Sequence, residues 1–407
     1  MMSEVTSDVC AAAYPPEVYG TTLAEVEATI QDVVERIFRD EDGMIRSGVY
    51  GLTMKPLELH EVTDRPYGIG CCSENHHIPN DLKPLFMNYE NAGQCSGKYI
   101  VAMLEKYAAT GDPEALSNAR RTVNAIQLLW DNVAAQNEYP GGRGWMPKPF
   151  DGIRNVSLMT ECSPDQYTDM TLGLQRFHDE VADEQERAVI EEMIVSFADW
   201  WSRHDYATSY EGGTCWWKLR PDCIHAVSFF LYLNSLANSF RPNEKYDRDF
   251  EMWLRILDES LAIRESLTGA NMLGLVTVCM ERLIVLRPDL KELWLNAITN
   301  EEPEGLIRRV LIEDQDVPGL KYQQLNAFAA RYLCAASRVF NKPVFEERAE
   351  ALISEYSHRG DFYHVSRGMP VDKLPPEVRG DDYRDIFWGE GHICWLTAYW
   401  MIRNSKS

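Results

Sequence analysis

The sequence predicts an all-α toroid, an (α/α)6 barrel in which six helical hairpins close into a ring. Three observations carry that expectation. From residue 88 onward one pattern recurs: a polar stretch, an apolar helix, a short turn and a charged helix. Apolar helices need burial on every side whereas charged ones need one buried face, which puts the first kind inside and the second outside. Finally, the repeat ends on an apolar helix without a charged partner and is preceded by a charged amphipathic helix without an apolar one, so that joining the two ends completes six pairs.

Taken in order, residues 22–39 carry apolar side chains at helical spacing on one side and charges on the other, and are expected to close the ring. Residues 41–88, rich in Gly, Pro, Tyr and Asn, read as loops and short strands at the rim. Within them His76 and His77 point apart on an extended chain and make a poor metal pair. The first hairpin runs from Asn88 through Leu104, turns at Thr110–Pro113 and returns to about 136. The second begins at Ser163 and returns through about 183–204; the third begins at Pro221 and returns through about 246–266. A fourth starts near Gly269 and turns at Arg287–Asp289, and a fifth starts near Tyr322, turns at Asn341–Pro343 and returns to about 358. The sixth inner helix starts at Trp388 and runs to the C-terminus. Repetition argues that 1–407 is a single barrel domain, although 407 residues would allow two or three.

Composition narrows the function. Asp and Glu outnumber Lys and Arg by 63 to 40, for a formal net charge of −23, a field that repels nucleic acid and anionic membrane. No uninterrupted apolar run reaches a bilayer span, and the N-terminus lacks a basic segment followed by an apolar one, so the expected location is cytoplasmic. The sequon Asn155–Ser157 carries no weight without a secretion signal. The ten Cys form no CxxC pair; Cys95, Cys162, Cys223, Cys279, Cys334 and Cys394 fall on or beside apolar helices and read as small buried hydrophobes. Neither a metal nor another cofactor is expected.

The most informative stretch is Glu161 to His178, where an acid-rich turn runs into an apolar helix. Ser163 reads as the N-cap, Pro164 as the first helical residue and Gln166 as the closing member of a capping box. Asp165 and Asp169, four apart, share a face; buried together, two like charges would raise the proton affinity of one, as general acid work requires. The helix dipole would favour an acid in that first turn in any case. Because inner helices begin at one rim, Glu90, Asn91, Glu161, Asp165, Asp169, Asp222, His225, Asn271, Tyr322, Asn326, Glu390 and His392 can be neighbours though distant in sequence.

Three loops on that side, 141–150, 212–220 and 382–388, combine aromatic rings, basic groups and Gly, and supply Trp145, Trp216, Trp217, Trp388, Arg220 and Arg384. Rings stack on the apolar faces of sugars while hydroxyls and carboxylates need polar partners, a mixture that suits an acidic carbohydrate. The competing account is that these Trp residues plug the barrel's end. Glycosidic cleavage needs one carboxyl to protonate the leaving oxygen and another to assist. Asp165, with Glu161 or Asp169, fits the acid, and Glu90 and Glu390 fit the partner. His225 and His392 serve as substrate-binding donors in that scheme, with Tyr322 and Asn326; in an epimerase or lyase the His would be the base.

The alternating helices, the Ser163-Pro-Asp-Gln-Tyr167 start and the Trp388-Gly-Glu390 turn into an apolar helix resemble the six-hairpin glycosidase superfamily, nearest to the unsaturated glucuronyl and rhamnogalacturonyl hydrolases. The resemblance covers the repeat over nearly the whole chain and specific motifs in those two segments; the family's Trp-Asp pattern on other helices is not evident. It implies an (α/α)6 barrel and an acid at an inner-helix start, here Asp165, that protonates an unsaturated uronic acid and activates water. Gly391-His392-Ile-Cys-Trp395 also resembles, with altered spacing, the end of the N-acylglucosamine 2-epimerase group. Lyases on the same barrel use a Tyr or His base, for which Tyr167, Tyr322 and His225 are available. The expectation is a glycoside hydrolase acting on a small, uronic-acid-containing oligosaccharide, with an epimerase or lyase second and a non-catalytic helical binding scaffold third.

Overall fold

In the computed structural model the described residues are 20–50, 55–56, 83–135, 141–156, 159, 161–210, 213–262, 270–292, 323–354, 362–364, 369–370 and 386–406. Six apolar helices form the inner wall: α3 (Ala92–Thr110), α5 (Pro164–Glu180), α7 (Ile224–Phe240), α9 (Ala270–Leu286), α10 (Gln323–Phe340) and α12 (Glu390–Ser405). Each packs on the next in that order, and α12 packs back on α3, so the ring closes. Outside stand α4 (Pro113–Ala134), α6 (Glu184–Arg203), α8 (Glu244–Ala262) and α11 (Pro343–Ser354), each following an inner helix. The outer position after α9 falls on residues outside those described.

Helix α1 (Leu23–Val33) fills the outer place between the last inner helix and the first, as its amphipathic pattern requires. Glu27 accepts hydrogen bonds from Lys106 of α3 at 2.9 Å and Trp400 of α12 at 3.1 Å, and Gln31 donates to the Tyr99 hydroxyl at 2.9 Å. Buried polar pairs of this kind fix where an otherwise sliding apolar contact settles. Among residues 41–88, expected as loops and short strands, β1 (Gly48–Tyr50) is a strand, but α2 (Lys83–Tyr89) is a helix that the composition hid. The expected first inner helix is thereby split at Glu90–Asn91.

Strands cluster on the side where inner helices begin. β2 (Ala207–Tyr210) and β3 (Gly213–Trp216) form a hairpin ahead of α7; β4 (Phe362–His364) and β5 (Met369–Pro370) join β6 (Ile386–Trp388), which pairs antiparallel with β1 and leads into α12. Two glycines let α3 and α5 meet backbone to backbone: a Cβ on Gly97 would lie 2.0 Å from the Asp169 carbonyl oxygen, and one on Gly173 would lie 2.7 Å from that of Gly97. That approach brings Lys98 to Asp169.

The helix starts differ by layer. Outer helices are capped: Thr22 and Asp183 form capping boxes and Asp112 accepts from Glu114 N. Inner helices α3, α5, α7 and α12 begin at Asn91, Ser163, Cys223 and Gly389 with no side-chain cap. The capping box expected at Ser163 is therefore absent: Gln166 turns across to α3, donating to the Asn91 side chain at 2.7 Å and accepting from Gln94 N at 3.3 Å. Of the cysteines expected to be buried, Cys223 is half-exposed; the other five are buried thiols.

Candidate functional site

Along the barrel axis, residues at helical spacing meet level by level. Beneath the leading ends of the inner helices, Lys98 of α3 is ion-paired with Glu390 of α12 and lies 3.5 Å from Asp169 of α5, which is also paired with Arg331 of α10. Val101, Leu172, Val278, Ala335 and Met401 follow, lining with Arg331 a cavity of about 20 Å³, room for a single water and none for a sugar. At the far end Glu105 of α3 accepts from Arg176 of α5 at 3.0 Å, Arg338 of α10 at 2.8 Å and Asn404 of α12 at 2.9 Å.

Above the Lys98 level lies the mouth. Loop 141–150 crosses it, pinned by the Tyr167 hydroxyl, which donates to Gly144 O at 2.9 Å and accepts from Met146 N at 2.6 Å. Gly144, at φ +95°, presses on the Ser196 carbonyl, where a Cβ would come within 1.9 Å. This fixes Lys148, whose own N–H donates to Glu161 O at 2.7 Å and whose ammonium lies 3.3 Å from Glu90. Burial alone would strip the Lys148 proton, but Glu90, Asp165 and Glu161 together reverse that and hold the amine cationic. Asp165 also bears on His225, whose imidazole burial pushes down, so that it is neutral at neutral pH.

Glu390 closes the circuit. Burial pushes its carboxyl up, Lys98 opposes the rise, and the neighbouring Asp169 and Glu90 carboxylates add to it. Lys98, which burial would neutralise, is kept charged by Glu390 and Asp169. Both amines are thus held as cations by the carboxylates around them.

The five expected carboxylates, Glu90, Glu161, Asp165, Asp169 and Glu390, thus form one connected cluster with His225, although Asp169 is paired with cations and not with Asp165. Asp165 is half-buried; Glu161, Asp169 and Glu390 are buried, and Glu90 nearly so. The other expected site residues fall in different surroundings. His392, two positions on from Glu390 and so on another side of α12, is buried with its ring 6.3 Å from that of Phe38. Trp145 is wholly buried and has no face for a ligand; Tyr167 is a loop anchor, not a base. Trp217 is buried beside His225, ring to ring at 6.4 Å, whereas Trp216 is 46 % exposed and Trp388 half-buried. Arg220 is exposed and forks onto Asp222 at 2.9 Å. Tyr322 and Arg384 lie outside the described residues, as do the side chains of Asn271 and Asn326.

Sequence reasoning passed over Lys98, Lys148 and Arg331. A signal existed for two of them: Lys98 and Arg331 are isolated charges in helices otherwise rich in Ala, Gly, Cys and aromatics, and a buried charge demands a partner. Lys148 sits in a loop, where nothing distinguishes it from a solvated lysine.

No protein-family model matches the chain, and no curated protein matches it. Among solved structures the chain is similar to a polysaccharide lyase at 12% identity and TM-score 0.45, over 77% of this chain and 90% of that one. It is similar to a sugar epimerase from a ruminal bacterium at 13% identity and TM-score 0.46, over 92% and 98%. A third likeness is to an unsaturated glucuronyl hydrolase specific for heparin, at 10% identity and TM-score 0.30, over 94% and 97%. All three are six-hairpin (α/α)6 folds, and at these identities the likeness is one of fold.

Proposed function

We propose that this chain is a carbohydrate-active enzyme, a glycoside hydrolase that cleaves a small uronic-acid-containing oligosaccharide with Asp165 as general acid. The observation that carries this reading is the placing of Asp165: half-exposed at the start of α5, it shares the mouth with Lys148 and His225, while Asp169 and Glu390 are sealed in ion pairs. Asp165 is thus the carboxyl of the cluster best able to meet a substrate. Glu90 and Glu161, gathered around the same Lys148, are the groups at hand to assist, and Trp216 offers an exposed ring for a sugar face. On an unsaturated uronic acid Asp165 would give its proton to the double bond and recover one from the water that adds, leaving the enzyme unchanged.

An acidic substrate is favoured by the helix starts. Four uncapped inner-helix N-termini carry backbone N–H groups and positive dipole ends toward the mouth. Gln94 Nε2 and Ser163 Oγ, buried there, have no hydrogen-bond partner among the described residues. A carboxylate or hydroxyl of the substrate would satisfy them.

The test is turnover of saturated and unsaturated uronic-acid disaccharides with products read by NMR. Asp165→Asn is expected to abolish turnover while leaving thermal unfolding near that of the parent. Undiminished turnover would remove Asp165 from the mechanism. One observation favours a second reading: His225, kept neutral by burial beside Asp165, is poised as a base for proton abstraction in an epimerase or lyase. Solvent deuterium exchanged into a carbon of a saturated uronide, where no double bond is protonated, and lost in His225→Ala, would select it.

A further inference from the structure

Resting on the reading above, we propose that Lys98 is a positioning residue that clasps the last inner helix to the first and second, and so fixes the Glu390–Asp169 layer on which Glu90 and Asp165 sit in the mouth. Lys98 is fully buried and meets neither solvent nor substrate, so its influence passes through the groups it holds. Its ammonium is paired with Glu390 of α12 and lies 3.5 Å from Asp169 of α5, with the Phe328 ring of α10 at 5.2 Å. Its carbonyl accepts a second α12 contact, from the Thr397 hydroxyl at 3.3 Å.

The seam needs such a clasp. Helices α3 and α12 are far apart in sequence and adjacent in the ring, so packing and polar pairs alone hold them in register. Glu390 sits in the first turn of α12, whose N-cap is Gly389 and supplies no side chain; the backbone bond from Gly389 N to Ser47 O at 2.9 Å and the Lys98 pair hold that turn. Without the ammonium, Glu390 would face the Asp169 and Glu90 carboxylates with no cation paired to it among the described residues, while Asp169 would keep Arg331 and Glu90 would keep Lys148. The other titratable groups acting in this region are Cys95 on α3, Tyr332 on α10 and Cys394 on α12, all buried.

The experiment compares Lys98→Met, which keeps the length and loses the charge, with Lys98→Arg, which keeps the charge. For Lys98→Met, kcat is expected to fall by roughly tenfold or more with little change in KM, the signature of misplaced groups. In a glutamate-carboxyl ¹³C titration, with Glu390→Gln assigning the signal, Glu390 is expected to titrate at higher pH in Lys98→Met and to return toward the parent in Lys98→Arg. A Glu390 signal that Lys98→Met does not move overturns the proposal, whether or not the uronides are turned over. Unchanged kcat in Lys98→Met, with Asp165→Asn inactive, overturns it too while leaving the hydrolase reading standing. Should Lys98→Met fail to fold, Lys98→Gln, which retains a donor without the charge, takes its place with the same readouts.

Discussion

The two ends of the barrel axis are built from the same residue types and reach opposite results. At the far end Glu105 is enclosed by Arg176, Arg338 and Asn404, and Arg282 is taken up by Gln175 at 3.1 Å and Asp179 at 2.7 Å. Burial pushes the Glu105 carboxyl up, but Arg338 and Arg176 overcome it and hold the group down at about 2. At the mouth Glu90, Glu161, Asp165, Asp169 and Glu390 outnumber Lys98, Lys148 and Arg331, and burial raises Glu390. The far end shows that this ring can match its buried charges. Leaving acid in excess at the other end is a departure from local consistency, and such departures mark working sites.

The largest expected effect that tests the contrast is at the far end. Glu105→Gln removes the charge of a fully buried carboxylate that Arg176 and Arg338 share, although Arg176 keeps Glu180 and Arg338 keeps Glu281, and is expected to destabilise the fold by about 3 kcal/mol at neutral pH. The sign in pH follows from the lowered carboxyl: its contribution is full above the ordinary value of 4.5 and is lost as pH falls toward about 2. Denaturant titrations across that window should show a slope in the parent that the variant lacks. Glu390→Gln should behave oppositely. A raised carboxyl contributes stability below its ordinary 4.5 and loses it as pH rises through the folded value. Its stability is expected to fall less than that of Glu105→Gln, because Lys98 keeps Asp169 at 3.5 Å, while turnover falls. If Glu390→Gln unfolds the chain as readily as Glu105→Gln, the two ends do not differ in kind.

Much of this was legible in the sequence because hairpin period and helix polarity are local properties. The run Ile224–Phe240 has no Asp, Glu, Lys or Arg and the run Glu244–Ala262 has nine, and a difference of that kind sorts inner from outer. The convergence of Glu90, Asp165 and Glu390 followed from the ring. What escaped was direction within a turn. His392 and Glu390 are two residues apart, which on a helix sends them to different sides, so one acts at the axis and the other meets Phe38. Ser163 matched a capping box by spacing, yet Gln166 found better partners on α3, a tertiary contact that no local pattern encodes. The role of Lys148 depends on Tyr167 holding a loop down, again a long-range fact.

The smallest effect sharpens the boundary of the mouth. Three Trp residues were expected as ligand contacts in the loops at 141–150 and 212–220, but Trp145 and Trp217 are buried and Trp216 is 46 % exposed at the end of β3. Truncating a buried Trp removes core and would confound any binding measurement, whereas Trp216→Ala should alter stability by less than ~0.5 kcal/mol. Trp217, its neighbour, lies beside His225, ring to ring at 6.4 Å, so Trp216 is adjacent in the chain to a residue at the cluster. A ring there would cover one face of a sugar reaching Asp165, worth about 1 kcal/mol, or roughly fivefold in Kd. Calorimetric titration of a uronic-acid disaccharide into Asp165→Asn, with and without Trp216→Ala, measures this without turnover. Equal affinities would mean that the β2–β3 hairpin props the start of α7 and takes no part in holding sugar, moving the acid-rich end's outer wall to the strands beside α12.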